Sequence, residues 1–166
     1  MINHLFAACL MIAAQTYAVP PQVLVGILHV EGGRIGQQVA NKNGTYDLGP
    51  MQINTLWIPE LAKNWGVTQK VAFKWLRDDG CTNVNVAAWI LRQHLAETGS
   101  LAKAVAQYHS RTPSRGGAYK AKVVEVMRRK GLLAKKADNN EGVQPPKSPA
   151  KRLMIGRSDK DPEDKG

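Results

Sequence analysis

From Leu5 onward, apolar residues recur at spacings of three and four in one segment after another, and most segments are closed by glycine or proline. No stretch alternates with the period of two that a half-buried strand requires. A chain patterned in this way hides its apolar side chains by packing helix on helix, so the expected fold is all-α. At 166 residues it is long enough for one hydrophobic core but cramped for two.

Residues 4–18 begin the pattern, with Leu5, Cys9, Ile12 and Ala13 at helical spacing ahead of Val19-Pro20-Pro21. The apolar run from Leu5 to Ala14 superficially imitates a secretory signal, but no Lys or Arg precedes it. The segment is read as the first helix of the domain. Pro20 and Pro21 open a second helix, with Val23, Leu24, Ile27, Leu28 and Glu31 along one side and a stop at Gly32-Gly33. Turn formers crowd residues 34–50, which reads as a surface loop. Short helices are expected from Pro50 to about Leu56 and from Pro59 to Trp65.

Thr68, Asn83 and Ser100 are N-cap candidates for three further helices, the second of them closed at Gly99. A loop, RTPSRGG, then precedes a last helix, AYKAKVVEVMRRKGLL. From Ala134 the sequence carries four prolines, many charges and a single apolar group, Leu153-Met154-Ile155. That is too little burial to offset the entropy of ordering the segment. The expected organisation is a helical domain over 1–133 and a disordered, charged tail over 134–166.

The chain carries 23 Lys and Arg against 13 Asp and Glu, and 15 of the former against 7 of the latter lie in residues 1–133. A basic surface favours any polyanion without specifying chemistry. Nucleic acid is not the expected partner, because the basic residues are scattered and no Gly-rich phosphate loop or zinc-ligand spacing appears. No apolar run approaches the roughly 20 residues needed to span a bilayer, so the protein is not expected to be integral to the membrane. The histidines show no paired metal spacing and read as surface or cleft polar residues. The two cysteines, Cys9 and Cys81, fit one disulfide or two free thiols equally on composition.

Seven acidic residues lie in the front part, and of these only Glu31 ends a strongly apolar helix beside a glycine pair that opens into a loop. That place can set a carboxyl at the border of core and cleft, where desolvation raises its pKa and keeps it protonated as a general acid. The helix pattern taken alone fits a solvent-facing helix end better. Downstream, Asp47-Leu48-Gly49-Pro50-Met51-Gln52-Ile53-Asn54 sets two amides, Gln52 and Asn54, in a compact turn. Amides both donate and accept, as the orientation of sugar hydroxyls and N-acetyl groups requires.

Four blocks in one order, Glu31-Gly32-Gly33, GPMQIN at 49–54, Asn83 before AAWIL, and AVAQYHSRTPSRGGAYKAKV at 104–123, resemble the lytic transglycosylase domain of the goose-lysozyme-like superfamily. The likeness is greatest to the VirB1-like branch associated with type IV secretion and conjugation. It departs at Gly32, where the family usually has serine, and at Pro50, where it usually has leucine.

The resemblance implies a lysozyme-like helical fold and cleavage of the β-1,4 bond between N-acetylmuramic acid and N-acetylglucosamine in peptidoglycan. Glu31 would be the single catalytic acid, leaving a 1,6-anhydromuramoyl end with no metal or organic cofactor. It further implies that Gln52, Asn54, Asn83, Tyr108 and Tyr119 hold substrate or the turn around it, with the Tyr108 hydroxyl sent toward Glu31. A Cys9–Cys81 disulfide, a periplasmic location, and components of a type IV secretion or pilus system as possible partners are implied in the same way. Two other readings stay open: a lysozyme-type hydrolase with Asp47 as its water-activating base, and a catalytically silent peptidoglycan-binding or secretion-assembly module.

Overall fold

In the computed structural model, residues 4–133 are described, and the expectation for the 134–166 tail lies outside them. Seven α-helices lie among the described residues: α1 (His4–Tyr17), α2 (Pro21–Glu31), α3 (Ile58–Trp65), α4 (Gln69–Asp78), α5 (Gly80–Thr98), α6 (Leu101–His109) and α7 (Pro113–Arg129). The lysozyme-like helical expectation holds in the main. Helix α5 is the axis of the core, with Val84, Val86, Ala87, Ala88 and Leu91 wholly buried around its circumference. Helices α1, α4 and α6 pack directly against it. Burial on more than one side of a helix requires neighbours on more than one side, while Arg92, Gln93 and Glu97 keep part of α5 polar. Helix α7 packs on both α6 and α2, which brings the C-terminal end of α2 against the middle of α7.

The region read as a loop and a short helix is instead a small antiparallel sheet, β1 (Gln38–Ala40), β2 (Tyr46–Leu48) and β3 (Ile53–Asn54), in the order β1-β2-β3. Its register pairs Val39 with Asp47 and Leu48 with Ile53. The expected helix over 50–56 does not form. Gly49 and Gln52 both adopt positive φ, 68° and 49°, which no right-handed helix accommodates, and only a 3₁₀ turn at Thr55–Trp57 follows.

Side-chain caps set three of the described helix starts. Thr68 accepts a hydrogen bond from the Val71 N–H and Ser100 from that of Lys103, as read from the sequence. Asn83 is not a cap: α5 starts three residues earlier, with the Asp79 carboxylate accepting from the Thr82 N–H. Helix α7 also starts earlier than expected, at Pro113, so the Gly116-Gly117 pair is helical. At Gly116 a Cβ would stand 2.6 Å from the Ser110 carbonyl oxygen and 2.9 Å from that of Ala106. The glycine that reads as a loop residue is what lets α7 cross so close to α6.

Cys9 and Cys81 form a disulfide that ties α1 to the first turn of α5 across 72 residues. Cross-linking so long a loop restricts the unfolded chain, so reduction should lower stability by roughly 2–4 kcal/mol. Paired thermal melts with and without reductant, together with a thiol titration finding no free cysteine before reduction, check this.

Candidate active site

Glu31 is the last residue of α2, and Gly32 in the left-handed conformation (φ 60°) ends the helix there by donating its N–H to the Leu28 carbonyl. The carboxyl is turned inward, where Oε1 accepts a 2.6 Å hydrogen bond from the Tyr119 hydroxyl on α7. Burial raises the Glu31 pKa from 4.5 to about 7, with the Tyr119 hydrogen bond pulling it down and the nearby Asp47 charge pushing it up. A carboxyl half-protonated near neutrality can both give and take back a proton. Tyr119 is held neutral, its pKa raised by burial and by the adjacent Glu31.

Tyr108, expected from the resemblance to reach Glu31, donates instead to the Met51 carbonyl oxygen at 3.0 Å. The two tyrosines lie nearly parallel, ring centroids 6.4 Å apart, and His109 stacks on the far more intimate spacing of 4.8 Å against Tyr119. The hydroxyl that reaches the Glu31 carboxyl is therefore that of Tyr119, eleven positions further along the chain and on a different helix.

The loop from Leu48 to Asn54 is fastened from below by Asn83, which is completely buried. Its Oδ1 accepts from the Met51 N–H at 2.8 Å, and its Nδ2 donates to the Leu48 and Leu76 carbonyls, both at 2.9 Å. Gly49 is required there, because a Cβ would stand 2.5 Å from that same Nδ2. Asn83 thus holds the turn and lies beneath the cleft instead of lining it. Gln52 donates its amide to the Gly49 carbonyl at 2.8 Å while its backbone sits at φ 49°, a strained position for a residue with a side chain. Asn54 donates to Asp47 at 2.8 Å and to Thr45 at 3.0 Å and accepts from the Leu56 N–H, so its amide braces β2 against the following turn.

A cleft of about 590 Å³ opens over this arrangement, and Glu31, Asp47, Gln52, Asn54 and Tyr108 all line it. So do Trp57, His94, Gln107, His109, Arg111 and Arg115. Among these, Trp57 and Gln107 are unexpected from the sequence. His94 had a readable signal, since it falls one turn after Ile90 on an otherwise apolar helix face. Trp57 and Gln107 carry no signal that separates them from ordinary core and surface residues.

This carboxyl, cleft and turn lie within residues 8–122, the stretch that matches the family described as the transglycosylase SLT domain. The chain belongs to that family. The SLT domains are lytic transglycosylases acting on peptidoglycan, and the chain is an enzyme of that kind. It is also 32% identical over 142 residues to the invasion protein IagB of Salmonella typhimurium, a match covering 80% of this chain and 84% of the relative. The invasion protein IagB of Salmonella typhi is likewise 32% identical over 115 residues, 67% of each chain. A wall-acting SLT domain with a disulfide has the character of an extracytoplasmic protein. No helix among the described residues is long and apolar enough to cross a membrane.

Proposed function

We propose that this SLT enzyme cleaves the β-1,4 bond between N-acetylmuramic acid and N-acetylglucosamine, with Glu31 serving as both acid and base. The protonated carboxyl gives its proton to the glycosidic oxygen as the bond from C1 to that oxygen breaks. The C6 oxygen of the muramoyl residue then closes on C1, and its proton passes to the Glu31 carboxylate, regenerating the acid and leaving a 1,6-anhydromuramoyl end. The observation that carries this reading is the buried Glu31 carboxyl, poised near neutrality against the Tyr119 hydroxyl. Gln52 and Tyr108, in this reading, shape the wall on which the sugar lies, and Asn54, Asn83 and Tyr119 hold the elements that present it. Mass spectrometry of the released muropeptides tests it: anhydro ends support it, and reducing ends overturn it.

Reducing ends would favour a second reading, a lysozyme-type hydrolase. In that reading Asp47, which lines the same cleft and acts electrostatically on Glu31, is the base that activates a water. Under the transglycosylase reading Asp47→Asn should be mild, and under the hydrolase reading severe.

The first step needs Glu31 protonated, so kcat/KM should fall as pH rises through about 7. The Tyr119 hydrogen bond lowers that pKa, so Tyr119→Phe should move the falling limb to higher pH. A pH–rate profile of the two proteins checks this; an unmoved limb would separate Tyr119 from the acid.

For location and partners, we propose the periplasm and the local opening of the wall for a secretion or conjugation apparatus. The likeness to proteins named for invasion supports a role of this sort. Isolation of the protein with periplasmic contents, and loss of apparatus assembly on its deletion, are the results expected.

A further inference from the structure

His94 is 5% exposed, yet it lines the cleft. Its Nδ1 makes no hydrogen bond and stands 3.9 Å from Glu97 Oε2, outside the cleft lining. Glu97 in turn is gripped through both carboxylate oxygens by Arg111, at 2.5 and 2.8 Å. A bidentate guanidinium fixes a carboxylate in one orientation. A proton on Nδ1 is favoured by the carboxylate beside it, which leaves Nε2 unprotonated and able to accept a hydrogen bond. Two apolar side chains stand on the same side of the cleft: Trp57 meets the imidazole edge-on with centroids 6.4 Å apart, and Ile90 lies one turn away on α5, also lining the cleft. Burial and the Arg111 charge both disfavour the imidazolium, against the opposing pull of Glu97.

We propose that His94 is a further substrate-binding residue, oriented by Glu97 and Arg111 so that Nε2 accepts a hydrogen bond from the acetamido N–H of a bound sugar. The acetamido methyl then rests against Trp57 and Ile90. This deepens the reading of the cleft as a glycan site and rests on it, but it concerns binding and needs no turnover. An acceptor sunk in an apolar wall rewards a ligand that brings both a donor and a methyl, and penalises one with neither in that place.

The test uses the full chain carrying Glu31→Gln, so that ligand is not consumed, and two probes with the same linkage: an N-acetylglucosamine oligomer and the corresponding glucose oligomer. The acetylated oligomer should bind at least about tenfold more tightly, and His94→Phe should remove most of that preference. Because His94 is buried and its replacement can disturb folding, Glu97→Gln serves as the second variant, its side chain being half exposed. In ¹⁵N spectra the His94 ring should show the Nδ1–H tautomer, a shift at Nε2 on binding the acetylated oligomer, and a mixture of tautomers in Glu97→Gln. An unshifted Nε2, or an acetyl preference that survives in His94→Phe, overturns the proposal. Residual cleavage by Glu31→Gln would instead count against the catalytic reading and leave this one standing.

Discussion

Glu31→Gln should lower the rate of wall cleavage at least ~10²-fold, the lower end of what general acid–base catalysis contributes, while leaving glycan binding intact. Gln is nearly isosteric and can still accept the Tyr119 hydrogen bond, so the change removes the proton and little else. The same substitution should raise stability, and in a pH-dependent way. Between the ordinary value of 4.5 and the folded value of about 7, the native state holds the Glu31 proton more tightly than the unfolded chain does. Stability therefore falls as pH rises through that window, and above it the ionised carboxyl costs the fold up to about 3 kcal/mol. Gln carries no such charge. The variant should melt higher than the parent above pH 7 and nearly with it below pH 4.5. Turbidity clearance of cell walls and melts at the two extremes of pH provide the readouts. Near-normal clearance would remove Glu31 from the mechanism, and an inactive variant that is also less stable at high pH would mean that the activity loss reflects misfolding.

What was legible in the sequence follows the range of the forces involved. The start of α2 at Pro21, the caps at Thr68 and Ser100, and the stops at Gly32 and Gly99 are decided within a few residues, and they appear where the sequence places them. The sheet was not legible, because strands of two and three residues are too short to show a period of two. They exist because Gly49 and Gln52 turn the chain back and Asn54 fastens Asp47 and Thr45 together. The Glu31 position could be singled out once the blocks downstream of its helix were set beside it, whereas the partner of its carboxyl could not. Tyr119 and Glu31 are 88 residues apart and meet only because α2 and α7 pack together. Tyr108, with an equally apolar context, spends its hydroxyl on a backbone carbonyl.

Asn83→Ala should be the most destabilising single change in the domain, and its reason is also what the sequence conceals. An asparagine near a helix start reads as a cap, but Asp79 holds that place and Asn83 lies one turn inside, with no exposure. Truncation would strand the Met51 N–H and the Leu48 and Leu76 carbonyls together, each a buried group whose lost partner costs about 1–3 kcal/mol. A total loss of about 4 kcal/mol or more is a large share of the ~5–15 kcal/mol by which such domains are stable. A drop in melting temperature of more than about 10 °C is the corresponding readout. Asn83→Asp should not rescue it, since a carboxylate keeps the acceptor for Met51 but sets negative charge against two carbonyl oxygens. Gly49→Ala should produce the same defect from the other side of the contact, because its Cβ would displace the amide and its φ of 68° disfavours any side chain. If Asn83 instead held sugar directly, Asn83→Ala would raise KM and leave the melting temperature within a degree or two of the parent. That outcome would place the asparagine in the cleft and remove it from the scaffold that sets Asp47 and Gln52 in the cleft wall.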